Sequence, residues 1–262
     1  HLNIMGGTHA TASREFLLPN AFNAKHTKML KDAVNIPVFI GHNIFSPEDA
    51  EKMLAEGNAD FVALGRSQLA DPAWAKKAKE GRASDIKPCI NCLIGCIDRG
   101  MLSHTPIHCT VNPSLYRFEC KPVEKAETRK QVAVVGAGPA GCEAALTASK
   151  RGHQVTIYEK RCIGGAMIEA SKPENKANIK RLIHYYEDHI MHDPNITLVK
   201  KEVEYETLVH RGYDAVIIAV GGKTRILNVP GIEKNSVIYA SDYLNGSTAV
   251  TGNTVVVIGG GI

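Results

Sequence analysis

Apolar and polar positions alternate along this chain in two strand–helix–strand stretches separated by an aperiodic one. In the first, Leu2-Asn-Ile4 reads as the end of a strand, and residues 24–34 read as a helix with apolar positions at Met29, Leu30, Ala33 and Val34. Residues 36–40 and 61–64 are all-apolar or nearly so and of strand length. Between them, Ser46-Pro47-Glu48-Asp49 is a helix start: a side-chain cap, a proline at the first helical position, and two acids at the positive end of the dipole. The helix it opens is expected to bury Ala50, Met53 and Leu54. Strands that are apolar on both faces and alternate with helices predict a parallel sheet.

From about residue 81 to 128 the periodicity fails. The cluster Cys89, Cys92, Cys96 and Cys109 and several prolines (Pro88, Pro106 and Pro113 among them) occupy a stretch with little to build a core, and residues 119–129 read as a charged linker. Regular patterning resumes at Gln131, with a strand over 132–135, a helix over 139–151 and a strand over 154–158. Residues 175–190 form an amphipathic helix on Ile179, Leu182, Ile183, Tyr186 and Ile190. Residues 215–220 and 254–258 are expected to be buried strands.

Composition narrows the picture. The chain has 262 residues, 44% of them hydrophobic and 22% charged, as expected of an ordinary globular chain long enough for two compact units. The formal charge is only +4 and no Lys/Arg run exceeds two residues, which argues against a nucleic-acid stripe. No apolar run approaches the ~18–20 residues that cross a bilayer. The chain begins at His1 and stops as a strand turns into Gly259-Gly-Gly261, so both ends read as cuts within a longer protein. Four of the seven cysteines lie within 21 residues, a clustering that points to a metal site in a reducing, cytoplasmic setting.

Two motifs carry chemistry. Gly136-x-Gly138-x-x-Gly141 follows a strand and opens a helix at Pro139-Ala140, as dinucleotide binding requires. Gly136 permits the tight turn, Gly138 lets the backbone approach a pyrophosphate, and Gly141 lets helix and strand pack closely. The helix N-terminus offers N–H groups to the phosphates. Glu159, 18 residues beyond Gly141, is placed to accept hydrogen bonds from ribose hydroxyls. The residues alone do not separate FAD from NAD. The second motif is Cys89-x2-Cys92-x3-Cys96-x12-Cys109. Thiolates in such a loop bind zinc or an iron–sulfur cluster, and the spacing leaves both open with iron–sulfur ahead.

Val134-Val-Gly-Ala-Gly-Pro-Ala-Gly141, Tyr158-Glu159-Lys160 and Gly164-Gly165 together resemble the FAD-binding half of the two-dinucleotide flavoprotein reductases. Ala219-Val220-Gly221-Gly222 matches the strand by which those proteins return to the flavin, and Val257-Ile-Gly-Gly-Gly-Ile262 resembles the start of their NAD(P)H site. Pro88-Cys-Ile-Asn-Cys-Leu-Ile-Gly-Cys96 with Cys109-Thr-Val-Asn-Pro113 resembles the iron–sulfur segment of the 2,4-dienoyl-CoA reductase and 2-enoate reductase family. The resemblance implies an α/β chain in four parts. These are the C-terminal end of an FMN-binding (β/α)8 barrel over 1–80, an iron–sulfur segment and linker over 81–128, a Rossmann-like FAD domain over 129–225, and the start of an NAD(P) domain over 226–262.

By the same resemblance, Cys89, Cys92, Cys96 and Cys109 hold a [4Fe-4S] cluster. FAD lies on Gly136, Gly138, Pro139, Ala140, Gly141, Glu159, Gly165 and Gly221, and the FMN phosphate on Gly65 and Arg66. For Arg66 the alternative is a surface ion pair. The family commonly has Gly-Arg where this chain has His42-Asn43, which removes one cation from the flavin and leaves Asn43 as a hydrogen-bonding candidate. His9 falls where dienoyl-CoA reductases carry an active-site histidine; the alternative is a solvated loop histidine. The implied activity is NAD(P)H-dependent reduction of an activated C=C bond in a small-molecule substrate. Two alternatives remain: an amine dehydrogenase of the trimethylamine dehydrogenase type, and a non-catalytic electron-transfer module.

Overall fold

The computed structural model describes residues 2–4, 18–115 and 123–259. Its first unit runs β1 (Leu2–Ile4), α1 (Ala24–Ala33), β2 (Val38–Ile40), α2 (Pro47–Ala55), β3 (Phe61–Val62), α3 (Arg66–Ala70) and α4 (Trp74–Lys79). The three strands form a parallel sheet in the order β1-β2-β3. The predicted helix start holds: Ser46 Oγ accepts the Asp49 N–H at 3.0 Å, with Pro47 next to the cap. Val38 and Ile40 are fully buried.

Several apolar positions face outward instead of inward. Met29 and Leu30 are exposed on α1, which buries Thr27, and on α2 Met53 is buried while Leu54 is exposed. Phe61 is exposed and stacks on Phe39 with ring centroids 4.7 Å apart.

The second unit runs β4 (Gln131–Val135), α5 (Pro139–Lys150), β5 (Gln154–Tyr158), α6 (Met167–Ala170), α7 (Asn178–His192), β6 (Ile196–Val199), α8 (Tyr205–His210), β7 (Ala215–Ile218) and α9 (Ala240–Asn245). Its sheet is parallel throughout, in the order β6-β5-β4-β7. This crossover at β4 is the doubly wound pattern, and it puts the first βα turn at the switch point where ligands bind such sheets. Helix α7 buries Leu182, Ile183, Tyr186 and Ile190, as the periodicity predicts.

Two expectations fail here. β7 pairs with β4 in register, yet all four of its residues are exposed, because it is the edge strand and only α5 approaches it among the described helices. Residues 254–258 form no strand: no described strand pairs with them, and Val255 to Ile258 are exposed.

The aperiodic segment between the units is not merely tethered. Cys89 and Val111, together with Phe45 and Ala70 from the first unit, join a single buried cluster with Val132, Val134, Ala137, Cys142, Ile157, Leu182 and Tyr186. Polar contacts reinforce this seam. Lys87 Nζ lies 2.6 Å from Glu143 on α5, Tyr186 donates to the same carboxylate, and Asn112 donates to the Leu69 carbonyl at 2.9 Å. Buried Asp71 accepts from the Ala73 and Lys87 N–H groups and from Lys77 Nζ.

Candidate functional site

The glycine loop is built by close approach. After β4, Gly136 takes φ +100°, and a Cβ there would sit 2.4 Å from the Ala219 carbonyl oxygen. Gly141 is closer still: a Cβ would lie 1.9 Å from the Gly136 oxygen. At Gly138 the nearest atom to a Cβ is Gly165 Cα at 3.9 Å, so the space beside it is open on the protein side. No side chain caps α5, and Pro139 and Ala140 lie exposed at its start. The uncapped helix start leaves N–H groups facing outward, a ready site for an anion.

Glu159 reaches back from the end of β5. Its Oε2 accepts the Ala137 N–H at 2.7 Å and its Oε1 accepts the Arg161 N–H at 2.7 Å. The following loop returns to the same turn: the Gly164 N–H donates to the Ala137 carbonyl at 2.8 Å, and Gly165, at φ +53°, approaches Gly138 backbone to backbone. Gly221, at φ +74°, follows β7 in open space. Gly259 has φ +99°, nearly that of Gly136, which fits the expected second glycine turn.

The four cysteines Cys89, Cys92, Cys96 and Cys109 line one cavity with Arg66, Leu69, Ile90, Leu93, Gly95 and His108. Asn91 and Leu93 adopt left-handed backbone (φ +56° and +60°), coiling the first cysteines inward, and a π-helix over Ile94–Leu102 carries Cys96. Gly95 lets the remote cysteine close the ring: a Cβ there would meet the His108 carbonyl oxygen at 2.4 Å. The Asn91 N–H donates to Cys89 Sγ at 3.4 Å, and Cys92 Sγ and Thr110 Oγ1 are 3.2 Å apart.

Burial pushes the Cys89 thiol up to about 12 and also raises that of Cys96, against the opposing pull of backbone N–H groups and the Arg66 charge. Buried thiols are neutral by themselves and ionise on binding a metal. Among the described residues no three potential ligands are grouped as one ion requires. Four thiols around one cavity are a donor set that zinc or an iron–sulfur centre takes, in the latter case one cysteine to each iron.

At the end of the first sheet, His42 and Asn43 both take left-handed backbone. Asn43 is buried; its Nδ2 donates to the Leu18 carbonyl at 3.1 Å and its Oδ1 accepts from Arg66 Nη2 at 2.7 Å. Arg66 Nη1 donates to Asn91 Oδ1, and the guanidinium lies 5.6 Å from the Phe45 ring centroid. The structure therefore brings Asn43, Gly65 and Arg66 together and turns the Arg66 cation toward the cysteine cavity. His9 and Gly261 lie outside the described residues. Sequence reasoning missed Asn91, His108 and the Lys87–Glu143 pair. An asparagine within a Cys-x-x-Cys turn is a readable sign of left-handed backbone; long-range pairs leave no such sign.

A doubly wound sheet with a glycine loop and a following acid defines a dinucleotide-binding oxidoreductase domain, and the comparisons agree. Residues 130–262 match the pyridine nucleotide-disulphide oxidoreductase family, and residues 9–85 match the NADH:flavin oxidoreductase / NADH oxidase family. The chain is 42% identical to an NADH oxidase of Thermoanaerobacter brockii over 89% of its own length and 37% of that protein. It is 31% identical to a cinnamate reductase of Clostridium sporogenes, over 90% of the chain and 35% of the relative. Among solved structures, a 2-naphthoyl-CoA reductase in complex with 2-naphthoyl-CoA superposes with a TM-score of 0.87 at 30% identity, covering 95% of this chain and 38% of that one. The chain belongs to the 2-enoate and 2,4-dienoyl-CoA reductase-like family of flavin oxidoreductases. It spans little more than a third of the length of these relatives. No helix among the described residues is long and apolar enough to cross a membrane.

Proposed function

We propose that this chain is part of an NAD(P)H-dependent flavin and iron–sulfur oxidoreductase that reduces the C=C bond of an α,β-unsaturated carbonyl or enoyl thioester. The observation that carries the reading is the convergence of four cysteines on one cavity packed into the same core as the dinucleotide loop. The names of the relatives, a cinnamate reductase and a 2-naphthoyl-CoA reductase, support conjugated carbonyl compounds as the substrate class. When bound, the cofactors supply a path for electrons from NAD(P)H through FAD, [4Fe-4S] and FMN to the β-carbon of the double bond.

The residues divide this work. Cys89, Cys92, Cys96 and Cys109 hold the cluster. The start of α5 at Gly138, Pro139, Ala140 and Gly141 binds the FAD pyrophosphate, Glu159 accepts the ribose hydroxyls, and Gly136, Gly165 and Gly221 keep backbone out of the way. Gly65 and the Arg66 backbone N–H hold the FMN phosphate, while Asn43 and Asn91 hold the Arg66 guanidinium and order the loop. His9 delivers or orients the proton that completes the reduction. The parts correspond to 1–80, 81–128, 129–225 and 226–262, and the density of free thiols suits a cytoplasmic protein. The isolated 262 residues turn over no substrate.

Metal and flavin analysis of the whole protein purified anaerobically, followed by assay with NADH or NADPH and an enone, tests the reading. Four irons per chain, both flavins and substrate-dependent oxidation of the nicotinamide are expected. One zinc and no iron, or oxidation of a tertiary amine with no enone reduction, would overturn it.

A further inference from the structure

The Asn43–Arg66–Asn91 arrangement ties two loops of different origin to one cation. Asn43 follows the second strand of the barrel-like sheet, and Asn91 lies between Cys89 and Cys92. Both hold left-handed backbone, and both direct their amide oxygens at the Arg66 guanidinium. The backbone N–H of Asn91 in turn donates to Cys89 Sγ. A continuous chain of contacts thus runs from the candidate flavin loop to a cluster sulfur. Among the described residues lining the cysteine cavity, Arg66 alone carries a permanent charge; Leu69, Ile90, Leu93 and Val111 make the rest largely apolar.

We propose that Arg66 is a positioning residue that raises the reduction potential of the centre held by Cys89, Cys92, Cys96 and Cys109. This rests on the iron–sulfur reading above. Two effects act in the same direction. Reduction adds a negative charge to the centre, and a fixed guanidinium beside it favours the more negative state. Holding Asn91 also keeps its N–H on Cys89 Sγ, and hydrogen bonds to cluster sulfurs raise the potential. Because the same guanidinium bonds Asn43, the loop that faces the flavin also sets where this charge sits.

The test is a reductive titration followed by electron paramagnetic resonance on the whole, cluster-loaded protein, with iron and FMN content measured in parallel. Arg66→Gln keeps hydrogen-bonding capacity and removes the charge, while Arg66→Lys keeps the charge. The expected result is a midpoint potential lowered in R66Q and close to wild type in R66K. Loss of iron from R66Q with retention in R66K also supports the charge role. A wild-type potential in iron-replete R66Q overturns the proposal, as does an equal fall, or equal iron loss, in both variants. Absence of iron from the wild-type protein would instead sink the iron–sulfur reading, and it is measured before any variant is made.

Discussion

Gly138 and Gly141 sit three residues apart in one loop, and the structure separates their roles. Gly141 has ordinary helical backbone, so alanine there gains helix propensity, about 1 kcal/mol. Its Cβ, however, would lie 1.9 Å from the Gly136 carbonyl oxygen and 3.3 Å from Ala219 Cβ. A backbone oxygen cannot swing aside. Helix α5 must therefore retreat from β4 by roughly 1.5 Å to restore ordinary contact. That retreat loosens Cys142 and Ala145, both fully buried. Overpacking of this kind costs about 1–3 kcal/mol, and a clash with backbone belongs at the upper end. After the propensity gain, Gly141→Ala is expected to destabilise by about 2 kcal/mol, lowering Tm by roughly 4–8 °C for a chain of this size. Gly138→Ala behaves oppositely. Its backbone is unstrained (φ −72°) and its Cβ would find 3.9 Å of clearance, so stability should change by less than about 0.5 kcal/mol. If a pyrophosphate lies against this glycine, the added methyl occupies its place and FAD affinity falls at least about tenfold. Thermal melting and fluorescence titration of FAD measure the two quantities separately. A G141A protein that melts at or above the wild-type temperature refutes the packing argument, and a G138A protein with wild-type FAD affinity refutes the pyrophosphate assignment.

Three further outcomes are expected. Asp71→Ala leaves Lys77 with only the Asp85 carbonyl in place of its ion pair, and the Ala73 and Lys87 N–H groups without an acceptor; a loss of about 3 kcal/mol in urea denaturation is expected, and a loss below about 1 kcal/mol would contradict the role given to this carboxylate. Cys142 is fully buried, burial pushes its thiol up to about 12, and its Sγ donates to the Ala137 carbonyl at 3.2 Å, so in the native protein it should resist alkylation at pH 8 while exposed Cys162 reacts, as peptide mapping by mass spectrometry would read out. Burial acts to raise the Glu169 carboxyl, but the Arg161 hydrogen bond and backbone N–H outweigh it and hold the group below its usual 4.5; this contribution, less than about 1 kcal/mol because Arg161 is half exposed, is complete above pH 4.5 and lost as the pH falls through the lower folded value, and Glu169→Gln should remove that part of the acid dependence of stability.

The most legible features were those whose chemistry is local. The Ser46 cap, the β4–glycine–α5 turn and the acid at 159 each require particular residues within a few positions, so spacing alone specifies them. The irregular cysteine segment was readable by the failure of periodicity. Burial was less so. Ala215-Val-Ile-Ile218 is as apolar as any core strand, yet it is an exposed edge, because an apolar run does not state which element covers it. Residues 254–258 show the same limit, since a strand exists only through a partner. β6, a four-residue run between Asn195 and a lysine pair, is too short to stand out, although β5 pairs with it over its full length. The grip of Asn43 and Asn91 on Arg66 spans 23 and 25 residues between loops, and no periodicity encodes a contact of that kind.

The shared core decides how the cysteine cavity relates to the glycine loop. Units of one chain joined by a linker usually meet through a polar interface and move against each other. Here Cys89 and Val111 pack in the same buried cluster as Ala137 and Cys142, one from within the glycine loop and one directly after it. The ion pair at the edge of this seam, Lys87 with Glu143, is held on mostly buried side chains, and Lys87 also faces the Tyr185 and Tyr186 rings at 5.8 Å. On the first-unit side, Phe45 and Ala70 enter the same cluster, and Arg181 on α7 donates to the Phe45 carbonyl at 3.3 Å. Close-packed interiors transmit displacement because they contain no slack. The cavity, the glycine loop and the Arg66 loop are therefore positioned by one packing solution. On the function proposed above, electron transfer between the centres needs this constancy of distance, and a shared apolar core provides it without a dedicated interface.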